Sequence, residues 1–131
     1  MRFDSLLRSA GTGIVAAVIA VIIVYLIGDA VSGPLLAESP GTDGPEEVPL
    51  FGAAFSTVVG GIFGTVLALI LSRLPRSVEL FTGICVVILV LYGIFAFGAA
   101  DDAATGVWLN LMHLAAAIPI VGSLAGWLRS R

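Results

Sequence analysis

Hydrophobic residues fill four long stretches of the chain, and most charged residues lie in the short segments between and beyond them. A helix needs about 20 apolar residues to cross the roughly 30 Å hydrocarbon layer of a membrane, and each stretch reaches that length. Irregular chain and open sheet edges are excluded at such depths because their backbone groups would lack hydrogen-bond partners. The pattern predicts an all-α, integral membrane four-helix bundle. The expected helices span about residues 10–33, 49–72, 77–98 and 103–128, within a single four-pass domain over residues 1–131.

The connecting segments divide these helices into two helical hairpins. Residues 34–48 are rich in proline, glycine and acidic residues, which predicts a mobile, solvated loop. Residues 73–77 (RLPRS) predict a tight turn in which Ser77 is the N-cap of the third helix. Residues 99–104 predict a similar turn, with Asp101 or Asp102 as the N-cap of the fourth helix.

Composition supports a membrane location and excludes several other classes of protein. Of the 131 residues, 59% are hydrophobic and 11% are charged, whereas soluble domains carry about a quarter charged residues. The net charge of -3 and the absence of lysine argue against a nucleic-acid partner. Cys85 is the single cysteine, so the chain has no internal disulfide.

The arginines indicate the orientation in the cell membrane. Lysine and arginine are retained in cytoplasmic loops, whereas acidic residues carry little information about orientation. With four crossings, all six arginines fall on one side, at the two termini and in the second connection. Both termini are therefore expected in the cytoplasm. The alternative for the first stretch is a cleaved signal peptide ending near Ser32, but the stretch is longer than a typical signal core and Asp29 lies beside the cleavage position.

Small residues recur every fourth position in three of the predicted helices. In membranes, close packing at small residues supplies much of the contact between helices. The second helix is therefore expected to bury one face, either inside the bundle or between copies of the chain. The residues with this spacing are Gly52, Ser56, Gly60, Gly64 and Ala68 in the second helix, Gly122 and Gly126 in the fourth, and Gly13 and Ala17 in the first.

Four aromatic residues are expected to anchor the bundle at the two membrane surfaces. Phe3 and Trp127 fall near the inner boundary, and Phe51 and Trp108 fall near the outer boundary. Aromatic side chains are enriched at these depths. They are interpreted as an interfacial belt rather than as a binding site.

Polar side chains inside the predicted helices are the candidate functional residues, because polar groups are costly in a bilayer and often mark function. At a rise of about 1.5 Å per residue, His113 lies near the membrane midplane, and Asn110 lies on the same helical face nearer the outer surface. The other three helices place hydroxyl groups at a similar depth in the outer leaflet. The predicted polar intramembrane cluster comprises His113, Asn110, Tyr25, Tyr92, Thr57 and Ser56.

Two interpretations of this cluster are open. In the first, Asn110 and His113 belong to a packing network whose hydrogen bonds determine which helices pair. In the second, the side chains line an outward-facing pocket for a small ligand, and His113 accepts or donates a proton. His113 is expected to be neutral at rest, because burial disfavours its charged form.

The sequence contains no recognisable catalytic set. No serine or cysteine lies beside a plausible base, no carboxylate pair lies inside the membrane, and no phosphate loop or metal-ligand spacing occurs. The protein is therefore not expected to be an enzyme, and no cofactor or metal site is predicted. Its expected partners are the lipid bilayer and either further copies of itself or a larger membrane complex.

The fourth helix carries a resemblance to a known group of proteins. Its stretch LNLMHLAAAIP, residues 109–119, places His113 before small and apolar residues and then Pro119, with a basic tail beyond. This arrangement resembles the last helix of a family of small uncharacterised four-pass membrane proteins of bacteria and archaea. The resemblance implies a four-helix membrane domain of unknown function.

Three functions are compatible with these features. The sequence favours a non-enzymatic structural or accessory membrane component, because its loops are short and its small-residue faces suit helix contacts. The alternative is a transporter or channel for protons or small solutes that uses the outer-leaflet polar layer. A further alternative is the binding of a lipid or quinone-like molecule between helices, with His113 as the polar contact.

Overall fold

Four long helices and a short β-hairpin make up the computed structural model, which describes residues 2–131. The elements are α1 (Arg2–Ser32), β1 (Leu36–Ala37), β2 (Glu46–Glu47), α2 (Leu50–Leu71), α3 (Ser77–Ala99) and α4 (Ala103–Arg129). All four helices are long and apolar enough to cross a membrane, so the predicted all-α four-helix fold is confirmed. The ends of α2, α3 and α4 lie within one residue of the predicted positions.

α1 begins at Arg2, well before the predicted start near residue 10. Asp4 lies in its first turn, where a carboxylate complements the positive end of the helix. Leu6 is buried, and the indole nitrogen of Trp127 in α4 donates a hydrogen bond of 3.1 Å to Ser5 Oγ. The first turns of α1 therefore pack against α4. These turns were not predicted because the charged residues Asp4 and Arg8 interrupt the apolar run.

The caps of α3 and α4 differ from each other. The N-cap of α3 is Arg76, at a left-handed φ of 60° and without a side-chain hydrogen bond, so the expected capping by Ser77 was wrong. The capping of α4 by Asp102 is confirmed, because its carboxylate accepts a hydrogen bond of 2.7 Å from the backbone N–H of Thr105. This bond lowers the pKa of the Asp102 carboxyl.

The two ends of the bundle carry opposite charges. The arginine end comprises the start of α1, the α2–α3 turn and the end of α4, and Arg131 Nη1 donates a hydrogen bond of 2.9 Å to the Ser72 carbonyl in that turn. The acidic end comprises the β-hairpin and the α3–α4 connection. Its acidic residues are Glu38, Asp43, Glu46, Glu47, Asp101 and Asp102.

α4 is the central helix of the bundle. It packs against all three other helices, most extensively against α1, and α2 packs mainly against α1. α3 contacts α4 and meets α2 only sparsely, although a short turn joins them. The buried cluster at the acidic end contains Val21, Tyr25, Leu35 and Met112, and none of its members lies in α3. We therefore call α1, α2 and α4 the three-helix unit, against which α3 leans.

The acidic loop forms a short hydrogen-bonded hairpin, whereas the sequence predicted a link without strands. β1 and β2 pair in antiparallel register, and Leu35, just before β1, is fully buried. The backbone N–H of Glu38 donates to the Ala99 carbonyl at 2.8 Å, and that of Asp101 donates to the Leu36 carbonyl at 3.0 Å. The hairpin is thus bonded to the α3–α4 connection. These bonds join segments distant in sequence, which loop composition alone does not reveal.

Candidate functional site

The predicted hydroxyl groups on α1 and α2 bond to the backbone rather than to each other. The Tyr25 hydroxyl donates a hydrogen bond of 2.6 Å to the Val48 carbonyl, at the end of the acidic hairpin. On α2, Thr57 and Ser56 both donate to the Ala53 carbonyl, at 2.8 and 3.1 Å. Each hydroxyl therefore has an acceptor inside the chain, which is a structural role.

Asn110 joins α4 to α3. Its Nδ2 donates hydrogen bonds to the carbonyls of Gly93 in α3, at 3.2 Å, and of Gly106 in α4, at 2.9 Å. Gly93 permits this close approach because it has no side chain. A Cβ added there would lie 2.5 Å from Asn110 Oδ1. The amide and the glycine thus form a matched pair across the α3–α4 contact.

His113 lies one turn further along α4 than Asn110 and contacts Tyr92, the residue before Gly93 in α3. Its ring centroid is 5.7 Å from that of Tyr92, with an angle of 52° between the rings. Tyr92 is 57% exposed, whereas His113 is half-buried. Of the buried side-chain nitrogen and oxygen atoms in residues 2–131, His113 Nδ1 is the one without a hydrogen-bond partner.

The structure therefore divides the predicted cluster into two groups. Asn110, His113 and Tyr92 lie together at the α3–α4 contact, as their spacing on the helices predicted. Tyr25, Thr57 and Ser56 are bonded elsewhere and share no pocket with them. Over the described residues, no group of three or more His, Cys, Asp or Glu side chains is placed to hold a metal ion. The α3–α4 contact can form hydrogen bonds with a neutral molecule.

The predicted small-residue face of α2 is only partly buried inside the bundle. Gly64 contacts Ile120 and Leu124 of α4, and Ala68 is fully buried. Ser56 and Gly60 are exposed, and a Cβ added to Gly60 would have no atom within 4 Å. A row with four-residue spacing turns by about 40° per step around a helix of 3.6 residues per turn, so five such residues wrap nearly half of it. Within one chain, the row is therefore not a single buried face, and burial of its exposed part between copies stays a prediction.

The remaining predicted packing glycines follow the same division. Gly122 and Gly126 are exposed, with open space where a Cβ would lie, and Gly52 approaches only Pro49 of its own first turn. Packing of these positions between copies of the chain stays a prediction. In contrast, Gly13 lies against Pro119 and Ser123 of α4.

Sequence reasoning missed a close contact between α1 and α2 at Gly61. A Cβ added to Gly61 would overlap Ile14 of α1 and touch Ile120 of α4 at 3.4 Å. Gly61, Thr57 and Ala68 are buried along one side of α2. Their spacings of four and seven residues, one and two helical turns, were a signal for this face.

Both tryptophans pack between helices, which the sequence did not predict, and their assignment to an interfacial belt stays a prediction. Trp127 is only 5% exposed and donates to Ser5 of α1. The Trp108 ring lies over Gly28 of α1, and its indole nitrogen donates a hydrogen bond of 2.8 Å to Ser32 Oγ. Each indole holds one end of the α1–α4 contact, which aromatic content alone could not distinguish from anchoring in the membrane surface.

The four long apolar helices make this chain a candidate four-span membrane protein. The chain matches the model of a family of unknown function, DUF6069, over residues 1–130. It therefore belongs to that family, and the predicted resemblance to an uncharacterised family is confirmed. No curated protein and no solved structure matches the chain.

Proposed function

We propose that this protein is a non-enzymatic component of the cell membrane that acts by contacting other transmembrane helices, in further copies of itself or in a larger complex. Uncovered small residues on the surface of the bundle carry this proposal. Gly60 on α2 and Gly122 and Gly126 on α4 are exposed and have open space around them. Small residues let helix backbones approach closely in lipid, where burial from water contributes little.

The covered glycines support the same interpretation. At Gly13 and Gly61, neighbouring helices of the three-helix unit approach within van der Waals distance. The chain thus already uses glycine for close helix contact where two helices meet. The uncovered glycines offer the same kind of surface to a helix from outside.

The charge distribution supports an orientation with the arginine end in the cytoplasm. The hydrogen bond from Arg131 to Ser72 brings the end of α4 to the α2–α3 turn, so these arginine-bearing segments share one end of the bundle. In this proposed orientation, both termini lie in the cytoplasm and the acidic hairpin lies outside.

Transport through the polar layer, the alternative function, stays a prediction without a specific observation in its favour. Tyr25, Thr57 and Asn110 bond to carbonyls in three separate places. A solute path would need these groups around a common space. Loss of a proton or solute flux in liposomes on replacing His113 with alanine, in a protein that still assembles, would support transport over the present proposal.

Native mass spectrometry of the protein extracted from its own membrane in a mild detergent tests the proposal. We expect a complex of fixed ratio, either with further copies or with a different membrane protein. Gly60→Leu or Gly122→Leu should dissociate it, because a leucine side chain would separate the helices. Gly83→Leu is the matched control, because Gly83 is an exposed glycine of α3 outside these rows. A monomer in the wild type, or equal effects of all three substitutions, would contradict the proposal.

A further inference from the structure

A groove between α3 and α4 opens on the side of the bundle, toward the lipid. Its volume is about 340 Å³, at the small end of the range for ligand pockets. Val90, Ile94 and Phe97 of α3 and Leu114 of α4 form apolar walls, and Asn110 contributes the one polar side chain among the lining residues. Asn110 is seven residues into α4, so this amide lies about 10 Å along the helix from the acidic end.

The hydrogen bonds of Asn110 leave its oxygen available to a ligand. Both N–H donors of the amide can be used by the carbonyls of Gly93 and Gly106, which fixes the nitrogen on the protein side. A carbonyl group cannot donate a hydrogen bond, so neither of these two partners can bond to Oδ1. Oδ1 receives no hydrogen bond within the described chain, and it is not among the fully buried atoms. An accessible acceptor therefore remains in an otherwise apolar groove.

The hydrogen-bonding chemistry of Asn110 Oδ1 indicates which kind of molecule the groove can bind. Oδ1 needs a donor, and the ester carbonyls of ordinary phospholipids can only accept a hydrogen bond. Charged headgroups remain near the membrane surface, because moving a charge about 10 Å into the hydrocarbon is costly. We propose that the groove binds a neutral lipid with a free hydroxyl group, such as a diacylglycerol. The hydroxyl donates to Asn110 Oδ1, and the hydrocarbon chain lies along Val90 and Ile94.

This site differs from the lipid contact expected from the sequence, in which His113 was the polar group. His113 Nδ1 is buried from contact with any outside molecule, and His113 is not among the residues lining the groove. Of the pair, Asn110 is the residue that lines the groove. The inference goes beyond the proposed contacts with other helices and does not depend on them.

Competition between two probe lipids tests this assignment. The full chain is placed in phosphatidylcholine nanodiscs containing equal amounts of dioleoylglycerol and its O-acetylated analogue, which lacks the hydroxyl. Native mass spectrometry then measures which lipid stays bound. We expect roughly threefold to tenfold preference for dioleoylglycerol, the range given by one hydrogen bond in this environment. Equal retention of the two probes by the wild type would overturn the proposal.

Three variants locate the site. Asn110→Leu should abolish the preference. Val90→Phe should reduce retention of dioleoylglycerol by filling the groove while leaving the bonds of Asn110 intact, so it remains informative if Asn110→Leu does not fold. Ser56→Ala is the matched control, because Ser56 lies about 9 Å into α2 from the acidic end and bonds to its own helix. It should keep the wild-type preference.

Two further results would overturn the assignment. Retention of the preference in both Asn110→Leu and Val90→Phe would place the lipid elsewhere on the protein. A wild-type dimer that excludes both probes and dissociates on Val90→Phe would assign the groove to a second copy of the chain. Dissociation by Gly60→Leu with normal lipid preference would instead support both the helix-contact proposal and this one.

Discussion

In the three-helix unit, α1 and its neighbours approach closely at Gly13, Gly28 and Gly61, whereas α3 meets α4 through the amide of Asn110 and the ring of Phe97. The first region is filled by aliphatic side chains and two indole rings. The second leaves Tyr92 and Phe97 more than half exposed. The α3–α4 contact is thus more open at Tyr92 and Phe97, although Phe81 of α3 is fully buried in the core. The closely packed helices hold the fold, and the more open α3–α4 contact presents polar atoms to the membrane.

Replacing an aromatic residue in each region should give the largest difference in the free energy of unfolding. Trp127→Ala should lower the free energy of unfolding by about 3–5 kcal/mol, because it empties a buried site between α1 and α4. Tyr92→Ala, at a side chain that is 57% exposed, should cost less than about 1 kcal/mol. Reversible unfolding in mixed detergent, followed by circular dichroism, measures both. Similar losses for the two variants would remove the distinction between the regions.

Replacing a glycine in each region should give the next largest difference in the free energy of unfolding. Gly61→Ala should destabilise the protein by about 1–3 kcal/mol, because its new methyl group overlaps Ile14. Gly83→Ala in α3 meets open space and should be neutral or stabilising by up to about 1 kcal/mol, since alanine favours helix. The same unfolding measurement applies. A stable Gly61→Ala protein would show that α1 and α2 can separate without loss.

Removal of the amide that joins α3 to α4 should have a smaller effect. Asn110→Leu breaks the bond to Gly93, and interhelical hydrogen bonds in membranes contribute about 0.6 kcal/mol on average. Cys85, half-buried on α3, should then react about threefold faster with a small maleimide in detergent, because α3 separates more often. Thr57→Val, which removes a bond within α2, is the control and should leave the labelling rate unchanged. Unchanged labelling of Asn110→Leu would mean that apolar packing alone holds α3.

The smallest effect concerns pH at the start of α4, beside the α3–α4 connection. The backbone N–H of Thr105 lowers the pKa of the Asp102 carboxyl, so the folded protein favours the charged carboxylate more than the unfolded chain does. This contribution is fully present above the unfolded pKa of about 3.9 and is lost as the pH falls through the lower folded pKa. Asp102→Ser retains a cap that does not titrate.

Thermal unfolding of the two proteins between pH 6 and the most acidic tolerated buffer measures this contribution. The melting temperature of the wild type should fall relative to that of Asp102→Ser once the pH drops below about 4. A difference that does not change with pH would show that the charge of Asp102 does not stabilise the cap.

Much of the fold could be predicted because membrane helices must satisfy simple local requirements. The long apolar runs located α2, α3 and α4 within one residue, and the cap preference of aspartate identified Asp102. The pairing of Asn110 and His113 on one face followed from their spacing of three residues. Each of these features depends on residues close together in sequence, so helix geometry was sufficient to find them.

The errors arose where distant segments meet. The acidic hairpin was interpreted as a mobile loop because its bonds run to Ala99 and Asp101, far along the chain. The packing of the two tryptophans against α1 was not predicted, because the bonds from Trp127 to Ser5 and from Trp108 to Ser32 span most of the sequence. Gly61 was overlooked because the regular row through Gly60 concealed a different buried side of α2.

The amino-acid sequence by itself determined that the chain forms four membrane-length helices, because each apolar run must satisfy its own backbone in lipid. It also determined the opposite charges of the two ends. Only the tertiary structure decided which glycines are covered, that α3 packs mainly against α4, and that Asn110 lines the α3–α4 groove while Nδ1 of His113 is buried without a hydrogen-bond partner. Those outcomes depend on how the helices rotate and cross, and several rotations satisfy the same hydrophobic pattern, because lipid is as apolar as the helix surfaces themselves.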